Sequence, residues 1–280
     1  MRAEQITPAV TDHGEGPVWS QAWGGLRLVD TYEGDVLKLN QDGSVERWHV
    51  ADAVTSIRPR RQGGIVLSTL HGLGVTDTVD GPMRLLLDEV VPDGQRLNDG
   101  GCDPLGHFWC GSIDSAKRGS GALFRLSPAG DLERVLGGVN VSNGIAWSVD
   151  GRYTYYADSF TGRVDRFAFA DGGISGREPF ITVAKEDGIP DGICVDAEGG
   201  IWVALWEGHQ VRRYSASGEL DEVVELPVAK VTACTFGGAD LDELWITTSR
   251  VRETDPHAAA GAVFRLLPGV KGLPVAPFAG

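Results

Sequence analysis

The stretch Pro190-Asp191-Gly192-Ile193-Cys194-Val195-Asp196-Ala197-Glu198-Gly199-Gly200-Ile201-Trp202-Val203-Ala204 sets a carboxylate before a short apolar run, a glycine-bearing turn and a second apolar run. That pattern reads as strand, hairpin, strand. A close copy lies upstream, at Ser142-Asn143-Gly144-Ile145-Ala146-Trp147-Ser148-Val149-Asp150-Gly151-Arg152-Tyr153-Thr154-Tyr155-Tyr156. In both copies a polar side chain followed by Gly stands just before the first strand. Repeats that each put one oxygen donor at the same structural position predict donors converging on an axis.

Related signatures occur at Gly14-Glu15-Gly16-Pro17-Val18-Trp19, Val54-Thr55-Ser56-Ile57, Leu97-Asn98-Asp99-Gly100 and Val231-Thr232-Ala233-Cys234. Their spacing, about 40 to 48 residues, is the period of a four-stranded propeller blade. Six such units fill the chain, which predicts an all-β fold, a six-bladed β-propeller, as a single domain over residues 1–280. The 39 glycines and 14 prolines punctuate runs of strand length, and the eight helical segments of an α/β barrel are not found. Gly121–Leu126, Gly162–Phe167, His209–Tyr214 and Gly261–Leu266 share a further strand pattern. The C-terminal Val270–Gly280 is expected to pack beside the N-terminal strand where the ring closes.

Composition excludes several function classes. With 25 basic and 39 acidic residues the net charge is −14, the opposite of a nucleic-acid-binding footprint and suited to attracting cations. No signal peptide and no membrane-spanning apolar run is recognisable, so a cytoplasmic protein without membrane association is expected. The four cysteines show no CxxC pairing of a zinc or redox site. Cys194 and Cys234 fall at apolar strand positions. Cys102 and Cys110 flank a hairpin and could face each other across it, although the missing signal peptide argues against a disulfide.

In a propeller the innermost strand of each blade lines a central channel, so residues at the starts of those strands face one another. Glu15, Asn98, Asn143 and Asp191 share that position. Two carboxylates and two amides meeting in a funnel suit a hard divalent cation, and without one the carboxylates would repel each other. Each residue also has a plainer reading. Asn143 and Asp191 precede Gly and fit a turn residue bonded to its own backbone, and Glu15 fits an exposed loop acid. Strand alternation points Arg96 to the same side as Asn98, where a guanidinium binds ligand oxygens or pairs with a surface acid. Trp19, Trp147, Trp202 and Trp245 fit inter-blade packing, and Trp206 fits the funnel wall. No nucleophile elbow and no phosphate-cradling loop is present.

Across these motifs the sequence resembles the SMP-30/gluconolactonase family, which includes regucalcin and bacterial sugar lactonases. The likeness runs through His13-Gly14-Glu15-Gly16-Pro17-Val18-Trp19, Arg96-Leu97-Asn98-Asp99-Gly100, Val141-Ser142-Asn143-Gly144-Ile145-Ala146-Trp147 and Ile189-Pro190-Asp191-Gly192-Ile193-Cys194-Val195-Asp196. It continues through Thr235-Phe236-Gly237-Gly238-Ala239-Asp240 and the C-terminal segment. The resemblance implies one divalent metal ion held by Glu15, Asn143 and Asp191, with Arg96 and Asn98 as substrate contacts. Some members carry a further acid where this chain has Ala116, with Asp114 two residues away; that departure bears on sugar preference and leaves the metal ligands intact.

The expected activity is hydrolysis of a sugar lactone to its aldonic acid. The metal (Ca²⁺, Zn²⁺, Mn²⁺, Mg²⁺ or Fe²⁺) would act as Lewis acid and Asp191 as general base. In the alternative, a metal-bound hydroxide attacks and Asp191 only holds the cation. Esterase or phosphotriesterase-like hydrolysis on the same site, and a metal-binding regulatory propeller without turnover, are the other readings. The partner expected is a small-molecule lactone, with the protein a monomer or small homo-oligomer.

Overall fold

A computed structural model describes residues 1–40, 42–116 and 119–280. The chain forms six four-stranded antiparallel sheets arranged as a six-bladed β-propeller. The described residues contain three short 3₁₀ turns and no α-helix. The innermost strands of blades one to six are Gly14–Ser20, Ser56–Pro59, Gln95–Cys102, Ser142–Trp147, Ile189–Val195 and Val231–Gly237. Each of the first five blades is a simple meander from the axis outward. The sixth takes its outermost strand from the other end of the chain: Glu4 pairs with Arg265 and Gln5 with Phe264. This closes the ring and removes an exposed edge.

There is no single core. Six apolar clusters lie one in each seam between neighbouring blades. Val18, Val29 and Val36 meet Ile57, Ile65 and Leu67 between blades one and two. Trp109, Leu123 and Val139 meet Ile145, Tyr156 and Phe167 between blades three and four. The alternation of short strands explains this arrangement, because successive side chains face opposite surfaces of a sheet and each blade must cover both. Trp202 and Trp245 are buried in such seams, while Trp19 and Trp147 are half-buried against them.

The ring closure corrects one expectation. The C-terminal segment does not lie beside the N-terminal strand. It crosses the channel mouth at the far ends of the inner strands, where Ala197 N–H donates to Lys271 O, Gly272 N–H to Leu241 O, and Phe278 N–H to Pro59 O. Pro268, Pro274 and Pro277 deny this segment the donors of a regular edge strand, and Phe278 anchors it in the seam between blades two and three. Cys102 and Cys110 are not opposite each other either. Cys102 pairs with Phe108 and Cys110 with Gly100, and all four cysteines are free thiols. Cys194 Sγ lies 3.7 Å from Cys234 Sγ across the seam between blades five and six.

Candidate active site

Five of the six inner strands carry a one-residue β-bulge near their start, where two residues stand against one on the partner strand or, at Thr232, one against none. The irregularities fall between Glu15 and Val18, Leu97 and Gly100, Ser142 and Ile145, Pro190 and Ile193, and Val231 and Ala233. A bulge interrupts the ladder and re-aims a side chain. Asn98, Asn143 and Asp191 are each the first residue of their bulge, while Glu15, paired with Val29, stands immediately before its own. The register read in the sequence thus corresponds to a shared backbone device for Asn98, Asn143 and Asp191, with Glu15 offset from it by one residue.

The glycine after two of these residues has a packing cause. A Cβ on Gly144 would lie 2.4 Å from Ile193 N, and one on Gly192 would lie 2.5 Å from Ala233 Cβ. Inner strands of adjacent blades approach too closely near the axis for any side chain at these two points.

Glu15, Arg96, Asn98, Asn143 and Asp191 all line one cavity of about 310 Å³, with Trp206, His13 and Tyr32 in its wall. The plainer readings do not describe these residues. Asn143 accepts from Asn98 Nδ2 at 2.9 Å and donates to Ser159 Oγ at 2.7 Å, and Ser159 Oγ donates to Pro190 O at 2.7 Å. This hydrogen-bonded belt crosses blades three, four and five. Glu15 is 7 % exposed, so it is no loop acid at the surface. Asp191 is 5 % exposed, and among the described residues its Oδ1 has no hydrogen-bond partner.

Arg96 and Asn98 do share a side, since Arg96 Nη1 donates to Asn98 Oδ1 at 2.7 Å. Arg96 also donates to Leu97 O and, at 3.3 Å, to the Tyr32 hydroxyl. Ala116 is exposed. The cavity wall takes Asp114 instead, a buried carboxylate that accepts from Ala116 N and Ser120 Oγ, each at 2.9 Å.

The electrostatics are those of carboxylates short of a partner charge. Burial, and then the charge of Asp99, pushes Glu15 up from 4.5 to about 8, against the Gly16 N–H and Arg96. Burial, then Glu15 and Asp99, raises Asp191 well above the ordinary carboxylate range. Asp99 is itself raised by burial, partly offset by Arg58 and by the Gly100 N–H, which it accepts at 2.7 Å. His13 is driven the other way, down from 6.5 to about 3, by burial and by the positive charges of Arg96, Arg252 and Lys230. Its Nδ1 lies 2.9 Å from Ser249 Oγ, and its ring stacks on Tyr32 with centroids 5.2 Å apart.

Asp99 was not singled out by the sequence. Simple alternation would set it opposite Asn98, but the bulge turns both toward the interior. Neither the His13–Tyr32 stack nor Phe160 in the cavity wall carries a local sequence signal, because the partners come from different turns.

Among the described residues no three His, Cys, Asp or Glu side chains are gathered as a metal-holding cluster. The donors at this cavity are two carboxylates and one amide oxygen. An all-oxygen set of that kind fits a hard divalent cation. The unpartnered Asp191 Oδ1 and the elevation of both Glu15 and Asp191 are what a missing positive charge would leave behind.

Residues 13–250 match the SMP-30/Gluconolactonase/LRE-like region. The chain belongs to this family. Regucalcin of Oryctolagus cuniculus is 34% identical over 298 residues, covering 100% of this chain and 99% of that protein. Among solved structures, a calcium-binding protein, regucalcin, from Agrobacterium tumefaciens superposes with a TM-score of 0.90 at 27% identity, covering 100% of this chain and 97% of its own. A luciferin-regenerating enzyme superposes with a TM-score of 0.89 at 28% identity over 96% of both chains. The SMP-30/gluconolactonase family thus spans relatives with differently named activities on one scaffold, and the residues around the cavity decide the chemistry. No helix among the described residues is long and apolar enough to cross a membrane.

Proposed function

We propose that this protein is a metal-dependent hydrolase that opens a sugar lactone to its aldonic acid, with Glu15, Asn143 and Asp191 holding one divalent cation. The observation that carries this reading is the buried, unpartnered Asp191 Oδ1 beside Glu15, in a cavity that also presents the Arg96–Asn98 pair. Family membership supports lactone hydrolysis. The calcium-binding regucalcin relative supports a divalent ion of the hard, oxygen-preferring kind.

A cation held by Glu15, Asn143 and Asp191 would supply Lewis-acid polarisation of the lactone carbonyl. The remaining work belongs to the chain. Arg96 keeps two guanidinium N–H donors beyond those given to Leu97, Asn98 and Tyr32, and these orient ring hydroxyls. Asn98 is locked by Arg96 on one side and by Ser142 O and Asn143 on the other, so its position is fixed before substrate arrives. Trp206 and Tyr32 supply apolar faces for the sugar ring and exclude water. Asp191 uses a free oxygen to take a proton from the attacking water. That proton passes to the ring oxygen as the acyl C–O bond breaks, leaving a carboxylic acid and a free hydroxyl.

The test is proton release from a panel of aldonolactones, corrected for spontaneous hydrolysis, on chelated protein with single divalent metals restored. Turnover restored by a metal supports the assignment. A chelated protein that turns over as fast as the metal-loaded one overturns it. Metal binding without turnover of any lactone moves the reading to a binding role.

A further inference from the structure

The mouth of the same cavity carries a charge that hydrolysis of a neutral lactone does not use. Arg252 lines the cavity and is solvent-exposed. It occupies the third position of a turn closed by Glu253 N–H donating to Arg250 O, with φ at 59°. A non-glycine residue is rarely held in the left-handed region, and such outliers gather at functional sites.

Neighbouring cations are all engaged. Lys230 Nζ donates to Val251 O at 2.6 Å and lies 3.8 Å from Glu207 and 3.7 Å from Glu253. Arg250 Nε lies 3.8 Å from Asp12. Among the described residues the Arg252 side chain has neither a hydrogen bond nor an ion pair, although its charge reaches His13 within the cavity wall.

In a chain of net charge −14 a guanidinium facing a cavity without an acidic partner is unusual. A divalent cation would balance Glu15 and Asp191, and Asp114 on the wall accepts from Ala116 N and Ser120 Oγ. Arg96 and Arg252 are then the guanidinium groups lining the cavity beside the substrate.

We propose that Arg252 is a specificity residue that reads an anionic group on the substrate. The preferred lactone therefore carries a carboxylate or phosphate away from its ring carbonyl. This rests on the lactonase reading given above. Guanidinium recognises either oxyanion through paired N–H donors, and both could be presented by a sugar lactone.

The experiment compares kcat/KM for a neutral aldonolactone, an aldaric monolactone bearing a free carboxylate and a phosphorylated aldonolactone, in the wild type and in Arg252→Gln and Arg252→Lys. The expected result is a wild-type preference for one charged lactone that falls about tenfold in Arg252→Gln and returns in part in Arg252→Lys. Which charged lactone is preferred identifies the oxyanion. A neutral lactone hydrolysed as well as both charged ones overturns the inference, as does a preference unmoved in Arg252→Gln. Calorimetric titration with an open-chain aldarate and with a phosphorylated aldonate separates the two readings. If no lactone is hydrolysed but Arg252→Gln still weakens one of these anions about tenfold, lactone hydrolysis fails while anion recognition stands. If neither anion binds more weakly to the variant, anion recognition fails by itself.

Discussion

Asn98 Nδ2 donates to Asn143 Oδ1 at 2.9 Å across the boundary between blades three and four. The same amide accepts from Arg96, so one side chain ties the guanidinium proposed to meet substrate to a donor of the proposed cation site. Asn98→Ala would cut both ties while leaving the apolar cluster between blades three and four intact. Cation affinity is expected to fall about tenfold, as when a residue supporting a ligand is removed, and kcat/KM to fall at least as far. Calorimetric cation titration and lactone kinetics on the same preparation check this. An unchanged cation affinity would confine Asn98 to the substrate.

Asp191→Asn separates function from stability. The variant should lose nearly all turnover, since both a cation donor and the proposed base are gone. Its cation-free form should be more stable than the cation-free wild type at pH 8, because a carboxyl whose ionisation is opposed by burial and by Glu15 and Asp99 has been replaced by a neutral amide. Chemical denaturation in chelator reads the second effect and lactone hydrolysis the first. A destabilised cation-free variant would show that Asp191 is satisfied in a way its unpartnered Oδ1 does not reveal.

The pH dependence has a defined sign. Glu15 is raised from 4.5 to about 8, so its contribution is full below 4.5, where native and unfolded chains both hold the proton. It is lost as pH rises through about 8, because the unfolded chain gives up its proton first. His13 works oppositely: its contribution is present above 6.5 and lost as pH falls through about 3. Between pH 6.5 and 8 only the carboxylate effect remains. Cation-free protein should therefore lose stability across that window, and saturating divalent cation should flatten the slope. Thermal denaturation at several pH values, with chelator and with cation, measures both; a cation-free protein that gains stability from pH 6.5 to 8 contradicts the assignment.

Gly192→Ala tests the geometry that aims Asp191. The added Cβ would lie 2.5 Å from Ala233 Cβ and 2.7 Å from Ala233 Cα, so inner strands of blades five and six must separate. A loss of about 1–3 kcal/mol is expected, together with weaker cation binding. Gly130→Ala is the control: no atom lies near its Cβ position, and only its φ of 96° opposes the change.

Much of this was legible in the sequence because a propeller repeats its grammar. Asn143-Gly144 and Asp191-Gly192 announce the same backbone event in consecutive blades, and repetition outweighs the turn reading each pair would carry alone. Asp99 was hidden because a bulge cancels the alternation by which one assigns sides to a strand. Arg252 was hidden because its placement depends on a turn in blade six meeting the cavity of the whole ring. The C-terminal course was misjudged for a related reason: proximity of chain ends in a ring is easy to expect, but which strand fills the last blade is settled by pairing. Glu4 and Gln5 supply that pairing, leaving the proline-bearing terminus to cross the opposite mouth.

That crossing yields a prediction independent of catalysis. Phe278 is 2 % exposed in the seam of blades two and three, and its backbone donates to Pro59 O and accepts from Arg61 N–H. Phe278→Ala removes a large buried ring while leaving these backbone bonds possible, and should cost about 3–5 kcal/mol. Because the segment lies at the mouth away from Glu15 and Asp191, the folded variant should keep its cation affinity. Denaturation curves paired with cation titration test the two halves. A stability loss accompanied by a proportionate loss of cation affinity would mean that the strap reaches the site through the inner strands, and that the two mouths of the channel are mechanically coupled.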